Sequence, residues 1–357
     1  MTKVICKSAP ALILLLAIAL PCSAQTKPAQ TEPAQARPSQ QPPAYQYFRV
    51  GNPTDAHTKP QSGYALMGGG SDLDEAFQWL CNKANSGDLL VLRATGTDAY
   101  NEYIRKLCHL NSVATLVIPN RDAANDPFVE KKIRSANAIF LSGGDQANYI
   151  NFWQHTPVQS ALNDAIALGV PIGGTSAGLA VLGQYIYSAQ GDQPNDPNLD
   201  AKTALADPFS PRITLVQGFL NIPILKGIVT DTHFAKRDRM GRLLVFLARL
   251  SQPNGKPLPA PGNQIRGIGV EEGSALLVEP DGRATVVGRG SAYLIDPSHG
   301  NGIPAPNTPL TFAPYAVQKI SSGHTFNLKT WSGEATRYTL TVKDGVIRST
   351  QPEGAIY

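Results

Sequence analysis

A serine in a glycine-rich stretch is the first residue whose setting indicates chemistry. Ser176 is the centre of a G-x-S-x-G pattern that runs from Gly174 to Gly178. The apolar stretch 170–172 before it is typical of a buried strand, and residues 179–183 after it are typical of a buried helix. A sharp turn from strand to helix holds a serine hydroxyl out at the carboxyl end of a sheet, where it can act as a nucleophile. The same pattern also occurs by chance in glycine-rich turns, so both interpretations stay open for this stretch taken alone.

A serine nucleophile needs a base within hydrogen-bond reach and a third group that orients the base. His233 follows a short apolar stretch that ends in Asp231, and Glu271 and Glu272 follow another. We expect both of these strand ends to lie at the same sheet edge as Ser176. Taken singly, a histidine or a carboxylate at a strand end is an ordinary loop residue. Because successive strand residues point to opposite faces, only one of the two glutamates can join the site.

Predicted strands and predicted helices, which could position these residues, alternate along the chain. Continuous apolar runs predict buried strands, and apolar residues at helical spacing predict helices between them. This alternation is typical of a parallel sheet with helices on both faces, whose ligands bind outside the carboxyl ends of the strands. The glycine triplet 68–70 that follows the first strand is interpreted as a tight turn. The predicted strands are 64–67, 89–92, 114–118, 138–141 and 170–172, with further short strands at 228–230, 284–287, 292–295 and 338–342. The predicted helices are 72–83, 100–107, 126–135, 159–168 and 240–250.

The 357 residues divide into four regions by composition and pattern. Residues 1–24 have the basic, apolar and small-residue order of a secretory signal, which predicts export to the periplasm or the medium. Residues 25–45 are a Gln/Pro/Ala-rich spacer that we expect to be disordered. Residues 46–290 form an α/β domain, and residues 291–357 a β-rich C-terminal extension interpreted as part of the same domain. After signal removal we expect no stable membrane association.

The net charge and the cysteine content indicate which partners and cofactors this sequence favours. Removal of residues 1–24 lowers the formal net charge from +4 to +2, because two lysines and no acid leave with them. Such a balance does not favour nucleic acid as a partner. Cys81 and Cys108 remain, and an exported protein could hold them as one disulfide or as two buried thiols. The six histidines are scattered and no C-x-x-C occurs, so we expect neither a metal site nor a cofactor.

Four stretches together resemble the cyanophycinase family of serine peptidases, which also includes the dipeptidase E branch. Each motif is weak alone, but the four occur in the family's order and the resemblance covers residues 63–290. It implies a flavodoxin-like sheet related to the class I glutamine amidotransferases, and usually a homodimer. The stretches are LSGGDQ at 141–146, GGTSAG at 173–178, DTHF with the following arginines at 231–243, and GIGVEE at 267–272.

The resemblance also implies a role for each matching residue. Ser176 corresponds to the nucleophile, His233 to the general base, and Glu272 rather than Glu271 to the carboxylate that orients the base. The amides of Gly144 and Ala177 correspond to the oxyanion-hole donors. The substrate-binding groups of the family correspond to Gln146, Asp231, Arg237, Arg239 and Arg242.

Cyanophycinases cut a poly-aspartate backbone that carries arginine on its side chains, and they release β-Asp-Arg dipeptides. Such a substrate suits arginines that bind its carboxylates and an acid that binds its guanidinium groups. If they do not bind substrate, the arginines after His233 are solvated residues at the start of a helix. Thr232 departs from the family, which commonly has glutamine there.

The sequence therefore predicts an exported serine peptidase that acts on cyanophycin through Ser176, His233 and Glu272. One alternative is a dipeptidase for other Asp or isoAsp peptides. Another is a non-catalytic binder of acidic peptides, although a binder has no need of all three catalytic side chains. A glutamine amidotransferase-like enzyme is disfavoured because those enzymes have cysteine at the position of Ser176.

We predict that residues 1–24 are removed during export, because their residue order is that of a cleavable signal. Intact-mass measurement of the secreted protein should show an N-terminus at or near Gln25. Secreted protein that retains Met1 would refute this prediction.

Overall fold

The computed structural model describes residues 43–192, 198–252, 264–297 and 299–357. The predicted signal and nearly all of the predicted spacer lie outside the described residues. Within the described ranges, every helix is too short or too polar to cross a membrane.

The described strands and helices are numbered here in chain order. The strands are β1 Gln46–Gly51, β2 Tyr64–Met67, β3 Asp88–Arg93, β4 Ser112–Val117, β5 Ala138–Leu141, β6 Ile172–Thr175, β7 Tyr185–Tyr187, β8 Leu215–Gln217, β9 Ile228–Asp231, β10 Arg266–Val270, β11 Ser274–Val278, β12 Arg283–Gly288, β13 Ser291–Asp296, β14 Phe312–Ser321, β15 Thr325–Asn327, β16 Ser332–Gly333, β17 Thr336–Lys343 and β18 Val346–Ser349. The helices are α1 Asp74–Lys83, α2 Ala99–Leu107, α3 Arg121–Ala124, α4 Pro127–Arg134, α5 Gln146–Trp153, α6 Pro157–Ala167, α7 Ala177–Ala180, α8 Ala201–Ala206 and α9 Met240–Ser251.

The first sheet has the strand order β1-β4-β3-β5-β6-β2-β11-β12-β15-β16. Its five central strands, from β4 to β2, are parallel. Alternate residues of these strands enter two different cores: Leu90 and Leu92 pack in the core that includes residues of α3 to α6, whereas Leu89 and Val91 pack in the core that includes residues of α1 and α2. Helices therefore cover both faces, which confirms the predicted α/β class.

A second sheet, which the sequence analysis did not predict, has the order β18-β17-β14-β13-β10-β9-β7-β8. Strand β9 pairs in parallel with β10 and β7, and β13 and β14 extend the sheet beside β10. The C-terminal region is β-rich, as predicted, but its strands are divided between the two sheets.

Strands β9 and β10 lead to His233 and Glu272, so the expectation that these residues share a sheet edge with Ser176 is wrong. The physical reason lies in the pairing of β6, the strand that leads to Ser176. Strand β6 is already hydrogen-bonded to β5 on one side and β2 on the other. The first sheet therefore has no free position beside β6, and the histidine must approach from the second sheet.

Cys81 in α1 and Cys108, which follows α2, form a disulfide across a sequence separation of 27 residues. This resolves the alternative that the sequence left open. The bond ties together the two helices on one face of the first sheet, where both cysteines are buried.

We predict that replacing both cysteines by alanine lowers the free energy of unfolding by about 2–4 kcal/mol. Without the cross-link, the unfolded chain gains conformational entropy, which favours unfolding. Urea unfolding of the oxidised wild type and the double variant measures the difference. Wild type treated with a reductant should fall to the stability of the variant, and a difference below about 1 kcal/mol would contradict the expected stabilisation.

Candidate active site

The turn between β6 and α7 holds Ser176 in a backbone conformation that L-residues rarely adopt, with φ +52° and ψ −119°. The Ser176 N–H donates a hydrogen bond of 3.2 Å to the carbonyl of Met67 in the neighbouring strand. A Cβ at Gly174 would lie 2.5 Å from the backbone carbonyl of Gly178, and one at Gly178 would lie 2.0 Å from the carbonyl oxygen of Leu141. Both glycines are therefore required by close backbone packing, which supports the strained serine.

His233 reaches Ser176 from the second sheet, at the end of β9. Its Nε2 lies 2.7 Å from the Ser176 Oγ. Its backbone N–H donates a 2.7 Å hydrogen bond to the carbonyl of Gly68, and its φ is +47°. The imidazole is thus positioned by contacts with both sheets.

Glu272, which follows β10, completes the hydrogen-bonded chain with an Oε1 that lies 2.6 Å from the His233 Nδ1. Its neighbour Glu271 points elsewhere. The Glu271 carboxylate accepts hydrogen bonds from the Tyr293 hydroxyl at 2.7 Å and from the Ser291 N–H at 2.8 Å. The structure therefore brings Glu272, and not Glu271, to the histidine, in agreement with the opposite directions expected of adjacent residues.

Two glycines after β2 belong to this site, although the sequence analysis interpreted them only as part of a tight turn. A Cβ at Gly69 would lie 2.5 Å from the Cε1 of His233, and one at Gly70 would lie 3.0 Å from the Cβ of Glu272. Both residues have positive φ angles, +94° and +76°. The signal that could have identified them is the glycine triplet at the carboxyl end of a central strand.

The surroundings of His233 favour its neutral form. Burial lowers the pKa of the imidazole, and the positive charges of Arg237 and Arg239 lower it further, while the hydrogen bond to Glu272 acts in the opposite direction. The resulting pKa lies below the ordinary value of 6.5. A neutral imidazole at neutral pH can accept a proton from the Ser176 hydroxyl, as a general base must.

Of the two predicted oxyanion donors, Ala177 directly follows the serine, and Gly144 follows a glycine that approaches it. Ala177 is the first residue of α7, so its N–H has no acceptor within that helix. Gly144 has φ +145°, which favours glycine, and it follows Gly143, where a Cβ would lie 3.9 Å from the Ser176 Oγ. Gly143 thus borders the nucleophile.

Asp231 and Arg242, both predicted to bind substrate, bind each other. The Arg242 Nε donates to Asp231 Oδ2 at 2.8 Å and its Nη2 donates to Oδ1, while Nη1 donates to the carbonyl of Leu199. Each residue is only 2% exposed. Burial alone would raise the pKa of Asp231, but the neighbouring guanidinium outweighs it and lowers the pKa. The two side chains form a buried ion pair instead of presenting charge at the surface of the site.

Arg239 is also buried, and it holds the backbone before the histidine. Its Nη1 donates to both the carbonyl and the hydroxyl oxygen of Thr232 at 3.0 Å, and its Nη2 donates to Asn198 Oδ1 at 3.1 Å. Burial and the nearby charge of Arg242 lower the pKa of this guanidinium. Thr232, the departure from the family pattern, therefore faces Arg239.

Arg237 is the arginine of this stretch that reaches solvent, with 44% of its side chain exposed. Its Nε lies 3.8 Å from the Glu272 Oε1, at the edge of the hydrogen-bonded chain. Gln146 begins α5 and is half-buried, and its Nε2 donates to the carbonyl of Tyr187 at 3.4 Å. Of the predicted binding groups, Arg237 is placed best to meet a ligand beside the histidine.

The arrangement can activate a hydroxyl for attack on a carbonyl, because Ser176, His233 and Glu272 form a continuous chain of hydrogen bonds. Among the residues that the structure describes, no group of three or more His, Cys, Asp and Glu side chains is placed to hold a metal ion. The chemistry that this chain of hydrogen bonds offers is nucleophilic attack assisted by a base.

Comparison with known proteins finds similarity to one peptidase family and to curated cyanophycinases. The model of Peptidase family S51 matches residues 64–222. This region is similar to peptidase family S51. A cyanophycinase from Nostoc sp. strain PCC 7120 is 28% identical over 223 residues, which are 60% of this chain and 65% of that protein, so the chain spans just under two thirds of this relative. A cyanophycinase from Synechococcus elongatus is 26% identical over 298 residues, or 79% of this chain and 84% of that protein.

The S51 match and the relatives confirm the resemblance found from the four motifs. A solved peptidase from an acI-B1 Actinobacterium superimposes with a TM-score of 0.48 at 17% identity, covering 75% of this chain and 98% of that one. The S51 match, over residues 64–222, includes Ser176 and ends before β9. The placement of His233 and Glu272 therefore rests on the geometry described above.

We predict that kcat/KM rises with pH along an acid limb whose midpoint lies below 6.5, because the lowered pKa of His233 keeps the base neutral in weak acid. Arg237→Ala removes a positive charge that lowers this pKa, so the midpoint should move to higher pH. Arg237→Lys retains the charge and should leave the midpoint close to that of the wild type. A midpoint that stays in place or moves to lower pH in Arg237→Ala would contradict the electrostatic account.

Proposed function

We propose that this chain is an exported serine peptidase that hydrolyses cyanophycin, multi-L-arginyl-poly-L-aspartate, to β-Asp-Arg dipeptides. The observation that carries the proposal is the hydrogen-bonded chain of Ser176, His233 and Glu272, with distances of 2.7 and 2.6 Å. The S51 family and the cyanophycinase relatives support the choice of substrate class.

In the proposed acylation step, the Ser176 Oγ attacks the scissile carbonyl while His233 Nε2 takes the hydroxyl proton. The Glu272 carboxylate accepts a hydrogen bond from the His233 Nδ1–H. This bond holds the imidazole in the required tautomer and stabilises the imidazolium that forms. The N–H groups of Gly144 and Ala177 would stabilise the negative charge on the carbonyl oxygen.

His233 then gives its proton to the leaving amine, the bond to that amine breaks, and an acyl-enzyme remains on Ser176. Water enters, His233 removes one of its protons, and the oxygen attacks the acyl carbonyl. The second tetrahedral intermediate collapses as His233 gives that proton to the Ser176 Oγ, the bond between the acyl carbon and Oγ breaks, and the carboxylic acid product leaves. The lowered pKa of His233 suits both transfers, because the histidine starts each step as a neutral base.

Recognition of the substrate centres on Arg237 in this proposal. Its exposed guanidinium, 3.8 Å from Glu272, can form a fork with a carboxylate of the bound polymer. Arg239, Arg242 and Asp231 support the binding surface from the interior, where their hydrogen bonds already hold the loop around His233.

A second candidate activity, hydrolysis of other Asp or isoAsp dipeptides, is favoured by Thr232. This side chain is short, buried and bonded to Arg239, so it presents no amide to a substrate at the place where cyanophycinases commonly have glutamine. The triad and its chemistry are the same in both candidates.

Export to the periplasm or the medium is part of the proposal. The signal-like order of residues 1–24 supports it, and so does the disulfide between Cys81 and Cys108, since such bonds persist in oxidising compartments. A homodimer is also proposed, on the family resemblance alone.

We predict that the purified wild type releases β-Asp-Arg from cyanophycin and that Ser176→Ala lowers kcat by on the order of 10⁴-fold or more, because the nucleophile is lost. Mass spectrometry identifies the product, and thermal unfolding checks that the variant keeps its fold. Activity of Ser176→Ala within a few-fold of wild type would refute the triad.

The substrate is tested by comparing Arg237→Ala with Arg348→Ala, a matched control that removes an exposed arginine from β18, the edge strand of the second sheet. Loss of a charge-assisted hydrogen bond of about 1.5–3 kcal/mol should lower kcat/KM about tenfold to hundredfold in Arg237→Ala only. Cleavage of isoaspartyl dipeptides without cleavage of cyanophycin would establish the second candidate instead.

A further inference from the structure

The loop from His233 to Arg239 carries the proposed base in a conformation that needs support. His233 and Asp238 both have φ +47°, in the left-handed region that favours glycine. Non-glycine residues keep such angles only where the surrounding structure holds them in place. Tyr293 and Tyr357 of the C-terminal region contact this loop.

Phe234, the residue after His233, lies in a cluster of three rings. Its centroid lies 5.4 Å from that of Tyr293 and 5.9 Å from that of Tyr357, and those two lie 5.8 Å apart. On its other side Phe234 covers Gly269, where a Cβ would lie 2.5 Å from the ring. Phe234 is fully buried, so a shift of this ring, and of the histidine beside it, would require movement of its neighbours.

The hydroxyl groups of the two tyrosines bind the two chain segments that carry His233 and Glu272. The Tyr357 hydroxyl donates to Asp238 Oδ1 at 2.8 Å and accepts from the Met240 N–H at 2.9 Å, which fixes the end of the histidine loop to the start of α9. The Tyr293 hydroxyl donates to Glu271 Oε1 at 2.7 Å, directly before Glu272.

The backbone links the same two segments. The Phe234 N–H donates to the carbonyl of Val270 at 3.2 Å, and the Glu271 N–H donates to the carbonyl of Ser291, at the start of β13, at 3.1 Å. The segments that carry His233 and Glu272 are therefore bonded to each other, and both contact Tyr293. A change at this ring can reach both members of the pair.

We propose that Tyr293 and Tyr357 are positioning residues that hold the His233–Glu272 pair against Ser176, so that the β-rich C-terminal region takes part in catalysis. Neither tyrosine contacts Ser176, and their effect passes through Phe234, Asp238 and Glu271. This inference rests on the proposed peptidase function. It assigns a catalytic purpose to strands that lie outside the S51 match.

The electrostatic setting agrees with hydroxyls that act as donors. Burial and the hydrogen bond to Glu271 raise the pKa of Tyr293, and burial and Asp238 raise the pKa of Tyr357. Both hydroxyls therefore keep their protons through the pH range in which the histidine titrates.

The test is a set of Tyr→Phe variants, which keep each ring and remove only its hydroxyl. Tyr293→Phe and Tyr357→Phe should each lower kcat about fivefold to fiftyfold with KM within about twofold of wild type, since small displacements of catalytic groups lower rates steeply. Tyr315→Phe is the matched control: Tyr315 is buried in the same sheet and its hydroxyl donates to the Leu244 carbonyl at 3.0 Å, but none of its described hydrogen bonds or ring contacts involves the histidine loop.

A fluorophosphonate probe makes the test independent of the peptide substrate. The Ser176 Oγ forms a bond to phosphorus, fluoride leaves, and His233 takes the hydroxyl proton, so the labelling rate reports the serine–histidine geometry directly. We expect slower labelling in Tyr293→Phe and Tyr357→Phe and an unchanged rate in Tyr315→Phe, at a temperature well below all unfolding midpoints.

The outcomes separate the two proposals. Wild-type rates in Tyr293→Phe and Tyr357→Phe, with a loss of thermal stability like that of Tyr315→Phe, would overturn the positioning role and leave the peptidase function intact. Labelling of Ser176 in a wild type that cleaves no cyanophycin would refute the substrate and still test the positioning role. A wild type that neither labels nor cleaves peptides would overturn both.

Discussion

The His233 ring can lie between Ser176 and Glu272 because Gly69 has no side chain. A Cβ at that position would lie 2.5 Å from the imidazole, well inside any permitted contact. The glycine segment after β2 therefore provides the space in which residues from two sheets meet. The same segment binds the histidine, since the carbonyl of Gly68 accepts its N–H at 2.7 Å. The two sheets place the side chains of Ser176, His233 and Glu272 around this space at hydrogen-bond distance.

The loop that carries the histidine depends on a second interaction, the buried ion pair of Asp231 and Arg242. Two charges removed from water require mutual pairing and further hydrogen bonds, and loss of one partner from such a pair costs about 3–5 kcal/mol. Here Arg242 also contacts the carbonyl of Leu199 and lies over the Tyr187 ring at 5.1 Å. Residues that the family resemblance assigns to substrate recognition thus shape the base-carrying loop in this structure, and Arg237 remains at the surface.

Three parallel strands of the first sheet could be predicted closely because they are buried on both faces. The apolar runs at 64–67, 89–92 and 138–141 agree with β2, β3 and β5 within one residue at each end. Helix α5 was missed because its apolar and polar residues do not separate into faces, and its start is set by the side chain of Asp145, which accepts the Ala147 N–H. The second sheet was missed because short strands such as β7 and β9 reveal nothing about their partners, which are set by contacts between distant parts of the chain.

By itself, the sequence determined the kind of chemistry: a serine in a glycine-lined turn, and a histidine and two glutamates that each follow an apolar strand. These features depend on local backbone preferences and on the period of burial, which neighbouring residues encode. Only the tertiary structure decided that Glu272 faces the histidine while Glu271 binds Tyr293, and that Arg242 is buried while Arg237 is exposed. Those outcomes depend on distances between side chains from separate sheets, and such distances exist only after elements far apart in the chain have packed together.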